Sequence, residues 1–459
     1  MLPPVLRTRA DLARMLAAAT NYEERLPLRG VRASFDLDRV RRLLADLGDP
    51  QDACGDVLHV AGSKGKGTTV RLAAHALKRA GRGPVGLFTS PHLEDLAERI
   101  ALDGVRIDDE TLVGAAETLR PHLARRLGTR QAATFFEVTM AMAWIAFRAA
   151  GTRSVALEVG LGGRLDATNV VAPRSTVITH IELEHTRLLG DTVEAIAREK
   201  AGIVKPGVPV VVGAQGKAAD VIEAIAHERG APCRLRGRDF TVLRHEVLPG
   251  ARGRAWLRTR DGEVVLDLPA AGRPVAENAV LAYEALRDMG LSPGELDDAF
   301  ADAKLPAVLE TVARDPRVVV DGAHTTSSAA AVAATMAEAF PDERPRVLVV
   351  ALLKEKDASG ILAPLAAWAT HVIATQVQSP RARPARETAG VIERLSNRAV
   401  ERVADPATAY ARARRLASPH GVALVTGSLY LAGAVRALAR FTPSPTGSGV
   451  GTSHPTGPR

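Results

Sequence analysis

A glycine-punctuated turn between an apolar run and a helical pattern is the feature that most constrains this chain. Residues 57–61 predict a buried strand, the loop Gly62-Ser63-Lys64-Gly65-Lys66-Gly67-Thr68-Thr69 follows, and residues 70–80 predict a helix. Glycines let several backbone N–H groups point into one concavity, and a helix N-terminus adds unpaired N–H groups of its own. This order of strand, loop and helix predicts a binding site for the phosphates of a nucleotide.

Two side chains in the loop strengthen that prediction. Lys66 can reach the outer phosphates, and a hydroxyl of Thr68 or Thr69 can face a magnesium ion. The strict spacing of such loops is not met, however, because Gly67 separates Lys66 from Thr68. A glycine-rich strand-to-helix turn that binds nothing therefore stays open as the alternative.

Composition limits the class of protein. The chain has 459 residues, of which 46% are hydrophobic, so we expect two domains with large cores. Its net charge of +8 favours anionic partners, but aromatic residues make up only 3%, which leaves few platforms for stacking nucleic-acid bases. We expect small-molecule substrates and neither nucleic acid nor membrane as partners. Two cysteines without metal-ligand spacing fit a cytoplasmic protein.

Strand and helix patterns alternate along most of the chain. Apolar runs at 57–61, 85–88, 155–159, 177–181 and 208–212 alternate with helical patterns such as 134–149 and 192–201. A more polar β-like stretch follows at 233–268, and then a helix at 277–289. This alternation predicts an α/β fold in which helices cover a parallel sheet.

The alternation restarts after Lys304, with apolar runs at 318–320, 346–352, 371–375 and 422–426. We therefore predict three segments. Residues 1–303 would form a P-loop, parallel-sheet ATP-binding domain with an N-terminal helical segment, which carries a mobile patch at 26–33. Residues 304–440 would form a smaller, Rossmann-like α/β domain, and residues 441–459 a disordered tail.

Polar side chains mark the ends of several predicted strands, where ligands bind in open parallel sheets. Ser90 follows the second strand, Glu158 lies within an apolar strand, and His185 follows a further strand. A buried carboxylate is costly unless it is paired or binds a cation, and Mg²⁺ prefers oxygen ligands. The alternatives are a Ser-Pro turn, an ion pair of Glu158 and a hydrogen-bonded, structural histidine.

Other candidates lie further along the chain. Lys200 stands near a predicted helix end, where a cation suits the helix dipole. Asp321 and His324 follow a strand of the second predicted domain, and a glycine-rich turn at 427–433 follows its last strand.

These elements together resemble folylpolyglutamate synthase/dihydrofolate synthase, a family of the Mur ligase superfamily. The resemblance covers roughly residues 20–437 in consistent order. It is carried by the phosphate loop 62–68, by Thr89-Ser90-Pro91-His92-Leu93, by Thr134-Phe135-Phe136-Glu137, and by segments 157–169, 189–192, 199–203, 321–324 and 427–433.

The resemblance implies a fold, a reaction and a set of site residues. The fold is Mur ligase-like, and the reaction is the ATP- and Mg²⁺-dependent addition of L-glutamate to dihydropteroate, to folates or to both. Separately from the resemblance, we expect the chain to be a monomer. Lys200 would be the lysine that the family carbamylates. The implied roles are ATP binding for Lys64, Gly65, Lys66, Gly67, Thr68, Asn278 and Asp321; Mg²⁺ binding for Ser90, Glu158 and His185; pterin binding for Thr134, Phe135, Phe136, Glu137, Leu165, Asp166 and Ala167; and catalysis for Lys66, Lys200 and His324.

Three departures from the family pattern matter. Leu305-Pro306-Ala307-Val308 stands where the family has Leu-Pro-Gly-Arg, so a phosphate-binding arginine is missing, and Arg314 and Arg317 are the nearest candidates to replace it. Thr325 replaces an asparagine, and Glu184 replaces an aspartate. Two alternatives therefore stay open: a related ligase that joins a different carboxylate and amine, and an ATP-binding switch without ligase activity.

Overall fold

The computed structural model describes residues 2–23 and 35–441. They form two compact units. The first comprises the chain up to Leu248 together with Arg252–Leu305, and the second comprises Pro249–Ala251 together with the chain from Pro306 onward. The predicted mobile patch at 26–33 and residues 442–459 of the predicted tail lie outside the described residues, whereas Phe441, where that tail was predicted to begin, is the last residue of a helix.

An eight-stranded sheet forms the centre of the first unit. Its strands are β1 Asp56–Ala61, β2 Val85–Phe88, β3 Ile100–Leu102, β4 Val105–Arg106, β5 Ser154–Glu158, β6 Ser175–Ile178, β7 Val210–Val212 and β8 Cys233–Leu235. They lie in the order β4-β3-β2-β5-β1-β6-β7-β8. Neighbouring strands are parallel except for the pairs β2–β3 and β3–β4, which are antiparallel. The carboxyl ends of β1, β2, β5 and β6 therefore meet at one edge of the sheet.

Two predicted strands of the first unit are shorter than their apolar runs. Strand β6 ends at Ile178 rather than at residue 181, because His180 pairs instead with Lys64 in an isolated bridge. Strand β7 begins at Val210 rather than at residue 208, since Pro209 has no N–H to donate and only its carbonyl pairs with Thr176.

Ten helices and a small sheet complete the described part of the first unit. The helices are α1 Arg9–Ala17, α2 Leu37–Ala45, α3 Lys66–Arg79, α4 Asp109–Ala124, α5 Phe135–Ala149, α6 Thr186–Leu189, α7 Val193–Lys200, α8 Lys217–Glu228, α9 Arg273–Asp288 and α10 Pro293–Leu296. The small antiparallel sheet consists of β9 Thr241–Leu248, β10 Arg252–Thr259 and β11 Gly262–Leu268, with β10 in the middle. Helix α9 packs against both α3 and this sheet.

Apolar side chains bury the two halves of the sheet separately. One cluster joins α1, α2, α4 and α5 to β1, β2 and β5, and another joins α7 and α8 to β6 and β7. Helix α5 is apolar on nearly every side, and ten consecutive residues from Val138 to Phe147 are buried. A helix of that kind belongs in a core, which explains its position between α4 and the sheet.

Up to Phe441, the second unit is a six-stranded sheet with five helices. Its strands are β12 Glu310–Arg314, β13 Arg317–Val320, β14 Arg346–Val350, β15 His371–Ala374, β16 Glu401–Arg402 and β17 Val422–Thr426, in the order β12-β13-β17-β14-β15-β16. Only β12 is antiparallel to its neighbour. The helices are α11 Thr326–Ala339, α12 Ala358–Trp368, α13 Ala385–Ser396, α14 Pro406–Ala417 and α15 Leu429–Phe441.

The predicted fold class is confirmed: a mostly parallel sheet with helices precedes a smaller, separate α/β unit. Within residues 2–23 and 35–441, no helix combines the length and the apolar character that crossing a bilayer requires.

Candidate active site

The loop between β1 and α3 has the backbone shape that its glycines permit. Gly62 and Gly65 have φ angles of +148° and +89°, in the region that favours glycine. A Cβ atom at Gly62 would lie 1.7 Å from Thr179 Oγ1, and one at Gly65 would lie 2.1 Å from Asn278 Oδ1. Helix α3 begins at Lys66 without a side-chain cap. Its first N–H groups can therefore serve an anion.

Side chains from outside the loop hold it in this shape. Thr179, just after β6, donates its hydroxyl to the Lys64 carbonyl at 2.6 Å. The Ser63 hydroxyl donates to the Glu182 carbonyl and accepts the Glu182 N–H, each at 3.2 Å. Asn278 of α9 lies against Gly65 and accepts a hydrogen bond from Thr69 at 3.4 Å. Thr179 and Glu182 carry no sequence signal of this role, because each contact joins segments more than 100 residues apart.

Two lysines converge beneath the loop. Lys66 Nζ and Lys200 Nζ each lie 2.9 Å from the carbonyl oxygen of Gly62, and Lys200 also donates to Glu184 Oε1 at 3.1 Å. Burial and repulsion from Lys66 lower the pKa of Lys200 to about 8. The pKa of Glu184 is held below its usual range, since attraction to Lys200 and Lys66 outweighs the opposing effect of burial. Lys200 thus ends α7 as expected, but it is buried.

A small cavity opens beside these groups. Its walls are the side chains of Lys66, Glu184, His185 and Lys200 together with Gly62 and residues 159–162. His185 enters this wall from a left-handed turn with φ of +47°. The structure therefore brings the predicted His185 and Lys200 to the phosphate loop.

The other two predicted magnesium ligands also lie at the start of α3. The N–H of Ser90 donates to Glu158 Oε2 at 3.1 Å, and a Cβ at Gly67 would lie 3.5 Å from the same oxygen. Burial raises the pKa of Glu158, although Lys66 opposes this. Among the described residues, no group of three or more His, Cys, Asp and Glu side chains forms a ready metal cage. A buried carboxylate beside a phosphate loop still fits Mg²⁺, which takes one or two protein carboxylates and completes its shell with phosphates and water.

The segment 134–137 stands at the start of α5, where its polar side chains form a capping box. Thr134 accepts the N–H of Glu137, and Glu137 accepts the N–H of Thr134 at 2.8 Å. Glu137 is also paired with the buried Arg39 of α2. Sequence reasoning missed Arg39, which lies 98 positions away. The Glu137 carboxylate is thus engaged by the protein itself.

Aromatic rings of this segment face the strand ends. Phe136 meets Phe88 edge to face, with ring centroids 5.8 Å apart. A Cβ at Gly160 would lie 2.5 Å from the Phe136 ring, so the ring packs directly on the backbone that lines the cavity. Phe135 lies under the guanidinium of Arg99 at 5.2 Å.

The segment 165–167 follows the same strand end. Asp166 is buried and accepts hydrogen bonds from the N–H groups of Leu161 and Thr168 and from the Thr168 hydroxyl, the last at 2.6 Å. Burial raises the pKa of Asp166. Asp166 therefore fixes the turn at 160–168 from within, while Leu165 beside it is half-buried and Ala167 is buried.

In the second unit, Asp321 and His324 occupy the turn after β13. Asp321 is buried and accepts the N–H groups of Leu309 at 2.9 Å and Ala323 at 2.7 Å, and burial raises its pKa to about 6. His324 Nδ1 lies 2.8 Å from the Gly322 carbonyl oxygen. Thr325 caps α11, the helix-capping role that an asparagine also fills.

The structure shows the surroundings of Val308, which stands where the family has an arginine, and of the two arginines nearest to it in sequence. Val308 is half-buried between Ala307 and Leu309, whose φ angles are +54° and +44°. Arg317 is occupied by Glu343 at 3.2 Å and by the ring of Phe340 at 5.0 Å, whereas Arg314 is exposed at the end of β12.

Two family models match the chain in this order. Residues 60–286 match the Mur ligase middle domain, and residues 308–429 match the Mur ligase, glutamate ligase domain. These matches cover the phosphate loop in the first unit and the Asp321 turn in the second.

Curated relatives and solved structures agree with these models. A probable bifunctional folylpolyglutamate synthase/dihydropteroate synthase of Halobacterium salinarum is 36% identical over 84% of this chain, which spans about half (47%) of that longer protein. The folylpolyglutamate synthase of Lacticaseibacillus casei is 34% identical over 87% of this chain and 94% of its own length.

Two solved structures have the same fold. The Mycobacterium tuberculosis folylpolyglutamate synthase, complexed with ADP and AMPPCP, superimposes with a TM-score of 0.80 at 32% identity, covering 89% of this chain and 96% of that one. A bifunctional folylpolyglutamate synthase/dihydrofolate synthase with Mn, AMPPNP and L-glutamate bound gives 0.79 at 27% identity, covering 96% and 100%. With the two Mur ligase domains in sequence and this likeness over nearly the whole length of the L. casei enzyme, the chain belongs to the folylpolyglutamate synthase/dihydrofolate synthase family.

Proposed function

We propose that this chain is an ATP-dependent amide ligase that adds L-glutamate to dihydropteroate, to folates or to both. One observation carries the proposal: Lys66 and the buried Glu158 both lie at the uncapped first turn of α3. A cation, free N–H groups and a carboxylate at one place suit a metal-bound triphosphate. Family membership supports the choice of substrates.

The reaction would proceed in two steps. A carboxylate oxygen of the pterin substrate attacks the γ-phosphorus of ATP, the bond to the ADP oxygen breaks, and an acyl phosphate forms. The amine of glutamate then attacks the acyl carbon, loses a proton and expels inorganic phosphate, which leaves an amide. Both steps concentrate negative charge on phosphoryl oxygens, which Lys66 and the loop N–H groups would stabilise.

The remaining roles follow from position. Ser90, Glu158 and His185 would hold Mg²⁺, which when bound neutralises phosphoryl charge. Lys64, Gly65, Gly67, Thr68, Asn278 and Asp321 would bind ATP. Phe135, Phe136, Leu165 and Ala167 would contact the pterin. Thr134, Glu137 and Asp166 would serve that site by fixing its backbone, because their polar atoms are bound within the protein.

Catalytic roles for Lys200 and His324 are part of this proposal. Lys200 lines the cavity beside Lys66, and His324 is oriented by the carbonyl of Gly322. Carbamylation would turn the Lys200 ammonium into an anion that supports a cation. A monomer in the cytoplasm stays a prediction from the sequence, and light scattering on the purified chain tests the first half of it.

A related ligase with a different carboxylate and amine is the second candidate. The substitutions at Val308, Thr325 and Glu184 favour it, since all three fall within motifs of the family. An ATP-binding switch is the third candidate and would hydrolyse or bind ATP without regard to glutamate.

One assay separates these candidates. ATP turnover is measured with dihydropteroate or tetrahydrofolate, with and without L-glutamate, and the products are identified by mass spectrometry. We expect phosphate release that depends on glutamate and a product heavier by one glutamyl residue. Turnover with another acid or amine only would favour the related ligase, and turnover indifferent to glutamate would favour the switch.

A further inference from the structure

Arg99 is a buried cation that the proposed reaction does not use. It ends the 3-10 turn Leu96–Arg99 just before β3, and its side chain has 0% exposure. Removing a guanidinium from water is costly unless several partners compensate. The partners that Arg99 has acquired therefore indicate what its burial achieves.

Three different segments of the first unit meet on this one side chain. Nη1 and Nη2 form a two-pronged pair with Glu23, Nη1 to Oε1 at 2.8 Å and Nη2 to Oε2 at 2.5 Å. Nε donates to His92 Nδ1 at 3.0 Å, and the planar face covers the ring of Phe135. Only a guanidinium can serve a carboxylate, an imidazole and an aromatic face at once.

Two of these partners adjoin the candidate sites. His92 belongs to the turn whose Ser90 donates to Glu158, and the backbone of Arg99 accepts the N–H of Thr89 in the same turn at 2.9 Å. Phe135 opens α5 and precedes Phe136, which packs on Gly160 at the cavity. Arg99 thus contacts the proposed pterin wall at Phe135 and is bound directly to the proposed magnesium turn.

We propose that Arg99 is a positioning residue that fixes the Ser90–His92 turn and the start of α5 relative to each other, so that it serves both the metal–nucleotide site and the pterin site. This inference rests on the proposed function. It predicts that one substitution disturbs two kinetic parameters that belong to different ligands, while glutamate binding is unaffected.

Arg99→Lys tests this, because it keeps the charge and removes the fork. The half-saturating Mg²⁺ concentration and the KM for dihydropteroate are each expected to rise about tenfold, the scale of one lost charge-assisted hydrogen bond. The KM for glutamate should stay within about twofold, since Glu23, His92 and Phe135 all lie in the first unit, whereas the match to a glutamate ligase domain covers residues 308–429.

Arg260→Lys is the matched control. Arg260 is more exposed than Arg99, but it also forms a hydrogen-bonded ion pair, with the fully buried Glu284 at 2.6 Å, and it lies in the turn between β10 and β11. It is expected to lower the melting temperature without moving either parameter. If both variants move both parameters alike, the effect is general destabilisation and the proposal is overturned.

Glu23→Gln disturbs Arg99 from its more exposed side and carries the same test where Arg99→Lys does not fold. Both parameters are again expected to rise. A rise in only one of the two parameters, or in neither, overturns the proposal. The proposed function still stands in that case, provided that the wild-type protein shows glutamate-dependent turnover. A wild type without glutamate-dependent turnover overturns the proposed function itself, and this inference with it.

Discussion

The ammonium groups of Lys66 and Lys200 donate to one shared acceptor, the carbonyl oxygen of Gly62, at 2.9 Å each. Their mutual repulsion is one reason, after burial, for the lowered pKa of Lys200. Glu184 forms a hydrogen-bonded ion pair with Lys200, at 3.1 Å, and attracts Lys66 only at longer range. An anion at the start of α3 would draw Lys66 away from this carbonyl, and the two lysines therefore should respond differently to nucleotide.

Replacing Lys66 tests the phosphate role. Lys66→Ala is expected to reduce turnover at least 100-fold, since a lost contact to a phosphoryl group costs on the order of 3 kcal/mol in the transition state. Thermal stability should change little, because the lost repulsion towards Lys200 offsets the lost attraction to Glu158 and Glu184. Lys78→Ala on the same helix, where Nζ bonds only a surface carbonyl of Asp103, is the control. Near-native turnover of Lys66→Ala would refute the phosphate-loop assignment.

The pKa of Lys200 predicts a dependence of stability on pH. Its pKa is about 8 in the folded chain and 10.5 in the reference state, so between these values the unfolded chain holds more protons. Stability should therefore rise with pH in that range, by up to about 3 kcal/mol. Urea unfolding of wild type and of Lys200→Met gives the free energy of unfolding as a function of pH. The difference between the two pH slopes cancels the contributions of the other titrating groups. Equal slopes would contradict a buried, titrating Lys200.

Carbamylation of Lys200 is predicted to be limited by Glu184. The neutral amine attacks carbon dioxide and loses a proton, and the resulting carbamate would lie against the Glu184 carboxylate. Glu184→Gln removes that repulsion and a group that raises the pKa of Lys200. Carbamate occupancy, read as a ¹³C signal after addition of labelled bicarbonate, should rise in this variant. Glu182→Gln, whose carboxylate pairs with Lys64 at 3.6 Å, should leave it unchanged, and no signal in any variant would rule the modification out.

Glu158→Gln is expected to preserve or raise the melting temperature while it lowers the Mg²⁺-dependent turnover. Burial raises the pKa of Glu158, so folding pays a penalty for its charge at pH values above that raised pKa, and protonation relieves the penalty as the pH falls. The amide variant lacks this penalty, and its melting temperature at neutral pH is expected to equal or exceed that of wild type. Its Mg²⁺-dependent turnover should fall at least about 100-fold. A variant that is both destabilised and active would show that Glu158 is a structural residue.

Strand and helix periodicity predicted most of the architecture, because apolar runs that alternate with helical patterns are typical of the buried strands of a parallel sheet. The strands β3, β4, β12 and β16 were not predicted. Strands β4, β12 and β16 lie at sheet edges and leave their side chains half-buried or exposed, so they lack a buried apolar run, and β3 is only three residues long. The edge pair β3–β4 turns at Asp103-Gly104, a typical hairpin dipeptide that only acquires meaning beside β2.

Parts of the candidate site could be predicted where the residues that point to its chemistry are adjacent in the sequence. The loop at Gly62 and the acidic strand end at Glu158 are of that kind. Thr179, Arg39 and Arg99 could not be found in this way, because each acts on a residue distant in sequence and belongs to a common residue type. Glu137 and Asp166 were predicted to bind the pterin, yet their carboxylates already satisfy buried N–H groups, which sequence alone does not reveal.

The last prediction concerns the absent arginine at Val308. Without a guanidinium here, the affinity for ATP should be modest, and Val308→Arg is expected to tighten it about tenfold, the value of a well-placed Arg–phosphate contact. Val308→Met, which adds length without charge, is the control, because it meets the same left-handed neighbours. Titration with AMPPNP and glutamate-dependent turnover are measured for all three proteins.

Unchanged affinity would mean that another arginine already binds the phosphate. Arg314 is then the residue to replace, since Arg317 is held by Glu343 and Phe340. Tighter AMPPNP binding without any turnover of dihydropteroate or folate would instead favour a ligase for a different acid, because the nucleotide site would then be complete and only the acceptor would be wrong.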